Sequence, residues 1–314
     1  MPPTHLTLVA AALTAALSSG FSPCALGQDL PDAFELPDGL EVSLWAESPH
    51  LYNPTAMDVD ERGRVWVTEA VNYRQWRGRN PGMHRDGGDR VVILEDTDGD
   101  GQCDSSKVFA QDEDLVAPLG IAVIGHRAYV SCSPNLFVYI DDDGDDVADR
   151  RETVLTGFGG YDHDHGLHSV VPHQGRLYVA IGNAGPHIVE GPDGFQLRSG
   201  SIYTGGGPAQ ADNKPGLVSS DGKAWTGGLV ISFKPDGSDI QVHAHNFRNP
   251  YEVALDRQGE MFLADNDDDG NLSCRTTWVM PGGNYGYFSA DGTRMWQADR
   301  RPGQGTQEAH WHQD

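Results

Sequence analysis

The stretch Gly166 to Asn183, GLHSVVPHQGRLYVAIGN, decides the fold. Apolar and polar residues alternate through its first half and a Gln-Gly turn follows. The second run, RLYVAI, is rich in β-branched and aromatic residues, so the whole reads as a β-hairpin. The same grammar recurs at Pro54 to Ala70 (PTAMDVDERGRVWVTEA), Pro118 to Pro134 (PLGIAVIGHRAYVSCSP) and Pro250 to Asp267 (PYEVALDRQGEMFLADND). Each second run carries an aromatic at its centre: Trp66, Tyr129, Tyr178 and Phe262. A unit recurring every roughly 45 to 50 residues fits a four-stranded β-propeller blade.

Working outward, apolar runs at Leu40 to Trp45, Arg90 to Leu94, Leu136 to Ile140 and Leu229 to Phe233 supply further blade strands. The expectation is an all-β chain of about four blades and part of a fifth. A ring of six is expected for the full-length protein, with this chain, ending in HWHQD, incomplete at its C-terminus. A natural propeller of four or five blades is the alternative. The wider gap between Tyr178 and Phe262 is an insertion, Ala184 to Gly228, rich in Gly, Pro, Ser and Asp; a loop this long is either disordered or functional.

The 314 residues carry 46 Asp and Glu against 22 Lys and Arg, a net charge of −24, with 39 Gly and 19 Pro. That balance excludes nucleic acid and an anionic membrane surface as partners, which need a positive footprint, and it favours cations. Leu6 to Leu17 is an apolar run too short to span a bilayer, followed by small residues at Ala25 and Gly27. It reads as a signal peptide over 1–27, exporting a domain of residues 28–314 to the periplasm or cell surface. No second run is long enough to cross a membrane. Cys103, Cys132 and Cys274 suggest no disulfide framework, and no C-x-x-C-H haem attachment motif occurs.

Two acidic loops follow apolar strands: DTDGDGQCD, with Asp96, Asp98, Asp100 and Asp104, and DDDGDDVAD, with Asp141, Asp143, Asp145 and Asp149. Carboxylates at alternate positions around a glycine turn suit Ca²⁺, whose role here would be stability; plain hairpin turns are the other reading. Asp146 stands where the first loop has Gly101. A third acidic run, Asp265 to Asp269, lacks the final ligand spacing.

Asp162, His163, Asp164, His165 and His168 cluster just before the third hairpin. If His163 and His165 lie on a strand they share a face, and His243/His245 and His310/His312 repeat the pairing; a metal-dependent hydrolase or lyase is therefore one reading. His173 and His187 read as turn and loop residues. Three motifs in order give another. His165 with GRLYVAIGN, then FRNPYEVALDRQGEMFLAD (Phe247 to Asp265), then PGGNYGY (Pro281 to Tyr287) resemble segments of soluble quinoprotein glucose dehydrogenases and aldose sugar dehydrogenases. Asn183 stands in place of that family's Asp, and Tyr287 in place of its Trp. The leader, the DTDGDG loop and HGLHS are similar to the planctomycete-type "membrane-bound dehydrogenase" proteins, whose propeller is often followed by helical repeats and a c-type cytochrome.

That resemblance implies a pyrroloquinoline quinone (PQQ)-dependent oxidoreductase acting on a sugar or other alcohol. It implies His165, or His168, as general base, with Asp164 fixing its tautomer. Arg248, Asn249, Asn284 and Tyr285 would bind the cofactor. It places the electron acceptor, a c-type cytochrome, in a downstream region or another chain. A non-catalytic, calcium-stabilised propeller that binds carbohydrate or a protein partner is the third reading.

Overall fold

The computed structural model describes residues 34–74, 84–203, 205–266 and 274–288. The leader, the His310/His312 pair and Asp267 to Asp269 lie outside them. The chain is a β-propeller, four blades in succession around one axis. The first sheet holds β1 (Pro54–Val59), β2 (Val65–Glu69), β3 (Asp89–Glu95) and β4 (Ser105–Asp112). The second holds β5 (Gly120–Ile124), β6 (Arg127–Cys132), β7 (Asn135–Ile140) and β8 (Arg150–Thr156). In the third, β9 (Leu167–His173) and β10 (Arg176–Ile181) are followed by a separate hairpin, β11 (His187–Glu190) and β12 (Gln196–Ser199), before β13 (Gly228–Phe233) and β14 (Gln241–Phe247) complete the blade. The fourth has β15 (Pro250–Leu255), β16 (Met261–Asp265) and β17 (Arg275–Trp278), after which β18 (Gly283–Asn284) returns to pair in parallel with the outer edge of β14. The first strands of the sheets, β1, β5, β9 and β15, neighbour one another in that order and surround the axis.

Alternation along the strands explains the stacking. Side chains of a strand point to opposite faces, and a strand buried on both faces packs a blade on each side. On β6, Ala128 and Val130 join Trp66, Ile93 and Phe109 of the first blade, whereas Tyr129 turns the other way into a core with Leu167, Leu177 and Val179 of the third. On β10, Leu177 and Val179 face backwards and Tyr178 packs forwards against Val253, Met261 and Leu263. The aromatics aligned in the sequence thus have one role: Trp66, Tyr129 and Tyr178 each reach into the following blade. Phe262 points the same way but is 44% exposed, beside Trp278 at 46%.

Two expectations change. Leu40 to Trp45 forms no strand: its one backbone tie to the sheet is the Cys103 amide donating to the Trp45 carbonyl at 2.7 Å. Trp45 and Ala46 cover Val65, Val67, Val92 and Leu94, the backward face of the first blade. The Ala184 to Gly228 insertion is not structureless; Val189, Leu197 and Trp225 anchor it in the core between the second and third blades. No helix among the described residues is long and apolar enough to cross a membrane.

The packing predicts unequal costs along the aligned series. Trp66→Ala, which empties an inter-blade core, is expected to lower unfolding free energy by about 3–5 kcal/mol, and Phe262→Ala by less than about 1.5 kcal/mol. Denaturant melts of the two variants check the ordering.

Candidate active site

The connector from β8 to β9, residues 157–166, carries the histidine cluster to the axial end of the third blade. It is a sequence of turns, not a strand. Gly160, at φ +80°, makes this possible: a Cβ there would collide with Gly166 as the chain doubles back. Gly182 has the same importance from the other side. A side chain on it would strike both the His165 carbonyl and Asn249 Oδ1, so only glycine lets the end of β10 approach the two.

His165, 7% exposed, has its Nδ1 2.7 Å from Asn183 Oδ1. An amide oxygen only accepts, so Nδ1 carries the proton and Nε2 presents a lone pair. Burial, reinforced by the charge of Arg248, pushes the His165 pKa down to about 3. The ring is neutral at every ordinary pH. Beside it, the Asp164 carboxyl is held far below the usual range despite partial burial, because His163, His165 and Arg74 surround it. The Arg74 guanidinium pairs with Asp164 from the upper loop of the first blade, so a third-blade acid is fixed by a residue 90 positions away.

His168 occupies a different role. It is fully buried, its Nδ1 lies 2.7 Å from the Pro250 carbonyl, and its Nε2 lies 2.9 Å from the Asp164 carbonyl. Both carbonyls only accept and a neutral imidazole carries one N–H, so the ring donates to one of them at a time and packs against the other, a strut between the connector and the fourth blade. Burial lowers its pKa against the pull of the two carbonyls. Its ring stacks on Tyr251 at 4.7 Å, and the Tyr251 hydroxyl donates to the Thr55 carbonyl of the first blade at 2.8 Å.

Arg248 and Asn249 lie between β14 and β15, at the same end of the propeller. Asp265, wholly buried at the end of β16, accepts from both their amides, at 3.2 and 2.8 Å, and from Arg275 Nη2 at 3.1 Å. It is therefore the anchor of the Arg-Asn turn, not a member of a third acidic loop. The Asn183 amide donates to the Arg248 carbonyl at 2.9 Å, which ties this turn to the His165 side of the site. Arg248 is 8% and Asn249 7% exposed, and Asn249 Oδ1 is buried with no hydrogen-bond partner among the described residues. A buried acceptor left unpaired at a site is the kind of group that a ligand completes.

Asn284 and Tyr285 join the Arg-Asn turn through neighbours: Asn284 bonds Asn246, two residues before Arg248, and Arg275 Nη2 donates to both Asp265 and the Tyr285 carbonyl. Asn284 and Tyr285 are on the outer edge of the third sheet, four strands from β9. Asn284 Oδ1 accepts from Asn246 Nδ2 at 2.8 Å, and Tyr285 stacks on Phe247 and bonds Trp278 and Met280; together they clip the third blade to the fourth. Among the described residues, the pairs His163/His165 and His243/His245 form no metal site. His163 Nδ1 accepts from the His165 amide at 3.0 Å and its Nε2 faces the Tyr203 hydroxyl at 3.2 Å. In β14 a register irregularity opposite Val230 and Ile231 splits the other pair. His243 then stacks on Tyr178 towards the fourth blade, while His245 meets Trp225 on the opposite side.

Two residues escaped the sequence reading. Tyr203, from the insertion, stands over His163 and His165 with ring centroids 6.2 and 5.9 Å away. His187 is a core residue of β11, not a loop residue: it accepts from the Gly159 amide at 3.1 Å and donates to the Gly182 carbonyl at 2.9 Å, bracing the glycines that shape the site.

The acidic loops sit at the opposite end of the propeller, each joining the third and fourth strands of its blade. Asp96, Asp98 and Asp104 bring carboxylate oxygens within 4.8 Å of one another, and so do Asp141, Asp143 and Asp149. Asp100 and Asp145 turn aside to cap the Gln102 and Val147 amides at 2.8 and 2.9 Å, so each loop converges three carboxylates, not four. Asp146 adopts the left-handed φ of +62° that its glycine counterpart Gly101 has at +89°. Its carboxylate bridges Arg62 at 2.7 Å and Arg64 at 2.9 Å in the first blade.

Residues 28–285 match the family described as "Domain of unknown function (DUF7133)". No curated protein matches the chain. Among solved structures, the chain is similar to the PQQ domain of a pyranose dehydrogenase from Coprinopsis cinerea (17% identity, TM-score 0.43, covering 78% of this chain and 47% of that one). It is also similar to the PQQ-bound aldose sugar dehydrogenase of Streptomyces coelicolor (15%, 0.47, 78% and 67%) and to a gluconolactonase from Xanthomonas campestris (15%, 0.45, 79% and 64%). The chain thus spans about half to two-thirds of the length of these structures.

The His165–Asn183 pair makes a prediction about pH. In Asn183→Asp the new carboxylate stabilises the imidazolium, so the His165 pKa rises from about 3 towards the ordinary histidine range. Titration of the His165 ring by NMR is expected to show no midpoint above pH 5 in the native protein and one shifted upward in the variant.

Proposed function

The chain belongs to the DUF7133 family, and on that footing we propose that the His165 cluster is the active site of an exported, PQQ-dependent oxidoreductase acting on a sugar or other alcohol. The observation that carries the proposal is the meeting of a neutral His165, its Nε2 lone pair available, with a buried Arg248 and the orphaned Asn249 Oδ1.

His165 Nε2 takes the proton of the substrate hydroxyl. Asn183 holds the tautomer by accepting from Nδ1. A ring with so low a pKa binds that proton weakly; Asp164, kept ionised by Arg74, offsets the charge that appears on it. Arg248 and Asn249 would hold the quinone, and the fixed guanidinium favours negative charge growing on it. When bound, the quinone supplies the acceptor for the hydride leaving the same carbon. Tyr203 covers the histidines and restricts water. Electrons would pass on to a c-type cytochrome supplied downstream or by another chain.

At the other end, Asp96, Asp98 and Asp104, and Asp141, Asp143 and Asp149, would hold Ca²⁺ as a structural ion. Loading the second loop stiffens the segment whose Asp146 is pinned to Arg62 and Arg64, so it would brace the contact between the first two blades.

Reconstitution tests the chemistry. Purified protein with PQQ and Ca²⁺ is expected to show bound-quinone absorbance and to reduce a dye with at least one of a panel of sugars, and His165→Asn to lose at least about 100-fold in kcat. Absence of both absorbance and dye reduction refutes the reading. Calcium is tested separately: at about 100 times its Kd it should stabilise the fold by roughly 2.7 kcal/mol, raising the melting temperature by several degrees. The rise should be reversed by a chelator and absent in the double variant Asp98→Ala, Asp143→Ala.

A further inference from the structure

Beside the histidine cluster a groove of about 460 Å³ opens on the same face, lined by residues that include Glu113, Asp114, Pro134, Asn135, Tyr161 and Pro208. Its walls come from four parts of the chain: the link between the first two blades, the β6–β7 turn, the β8–β9 connector that carries Tyr161, and the insertion. Tyr161 is 47% exposed, yet its segment is held, since the Gly160 amide donates to the Gly206 carbonyl at 3.2 Å. The polar groups are fixed as well. Arg151 Nη1 bonds Asp112 at 2.6 Å and Asp114 at 2.8 Å, and Asn135 Oδ1 accepts from the Thr156 hydroxyl at 2.7 Å, leaving the Asn135 amide N–H groups to donate. Glu113 and Asp114 continue into a second hollow of about 690 Å³ with Asp86, Gln111 and Asp112, so the groove extends outward as a trench.

A held aromatic face flanked by carboxylate acceptors and an amide donor is suited to a polyhydroxylated ring, its C–H bonds on the aromatic and its hydroxyls on the polar groups. Four acidic residues along the trench, Asp86, Asp112, Glu113 and Asp114, disfavour an anionic ring. The trench is also joined to the cluster. Tyr161 and His163 are two residues apart, at most about 7 Å between Cα atoms and near the length of one sugar unit. Tyr203, over the histidines, and Pro208, in the groove, belong to the same insertion.

We propose that this trench is a subsite for the second and later units of a neutral oligosaccharide whose terminal unit reaches His165. The inference rests on the sugar-oxidoreductase reading but is tested without it, by calorimetric binding to the protein in the absence of quinone. Cellotriose and maltotriose are the neutral probes, glucose the single-unit control and a galacturonic acid trimer the anionic control. At least one neutral trimer is expected to bind about tenfold or more tighter than glucose. Tyr161→Ala should lose that advantage while Tyr161→Phe retains it, with glucose unaffected by either. Circular dichroism confirms that both variants fold. Neutral trimers that bind no better than glucose, a Tyr161→Ala variant that keeps the advantage, or a galacturonic acid trimer that binds as well as the neutral ones would each overturn it. A dye-reduction assay that fails while the neutral trimer binds as described removes the activity and leaves the subsite standing.

Discussion

Every blade after the first depends on strands that are apolar on both faces. A four-stranded sheet with Val130 on one side and Tyr129 on the other cannot be stable alone, since one face would lie in water. Stacking satisfies both at once and fixes the angular position of each blade. The site inherits its geometry from that constraint. His165 rides on the connector into the third blade and Arg248 on the connector into the fourth, so their separation follows from how Leu177 and Tyr178 pack in opposite directions.

Much of this was readable in the sequence because it is periodic. The aligned aromatics, the paired acidic loops and the order of the His165 and Arg248 motifs each repeat or follow a local pattern. What was not readable is what depends on distant partners. Nothing near Arg74 announces that its guanidinium will meet Asp164, and nothing near Tyr203 marks it as a cover for His163. Asp265 looked like the first carboxylate of an acidic run, but its depth at the end of β16 makes it the acceptor that shapes the Arg-Asn turn. The metal pairing of His243 and His245 failed on a local irregularity that two-residue spacing cannot reveal, since one extra residue in a strand returns the next side chain to the opposite face. Asn284 and Tyr285 follow a motif in order, and the strand that ends at Asn284 pairs with β14, which leads into Arg248.

The two ends of the propeller carry different kinds of chemistry. At one end the charged groups are buried and paired, their pKa values moved by burial and by neighbours, as with His165 and Asp164. At the other the carboxylates are mostly exposed and fold their loops by accepting backbone amides. Asp146 belongs to both patterns. It caps nothing within its own loop, and the left-handed conformation that a glycine would adopt more easily aims its carboxylate at two arginines of the preceding blade.

The Tyr251 side chain bridges blades. Its ring lies against His168 of the third blade and its hydroxyl bonds the Thr55 carbonyl of the first, so one residue of the fourth blade is in contact with two others. Among the described residues, the inner strands of the first and last blades are thereby tied by a side chain and not by a backbone ladder. Any shift of the fourth blade against the first is therefore felt by the His168 ring, and through it by the connector that holds His165.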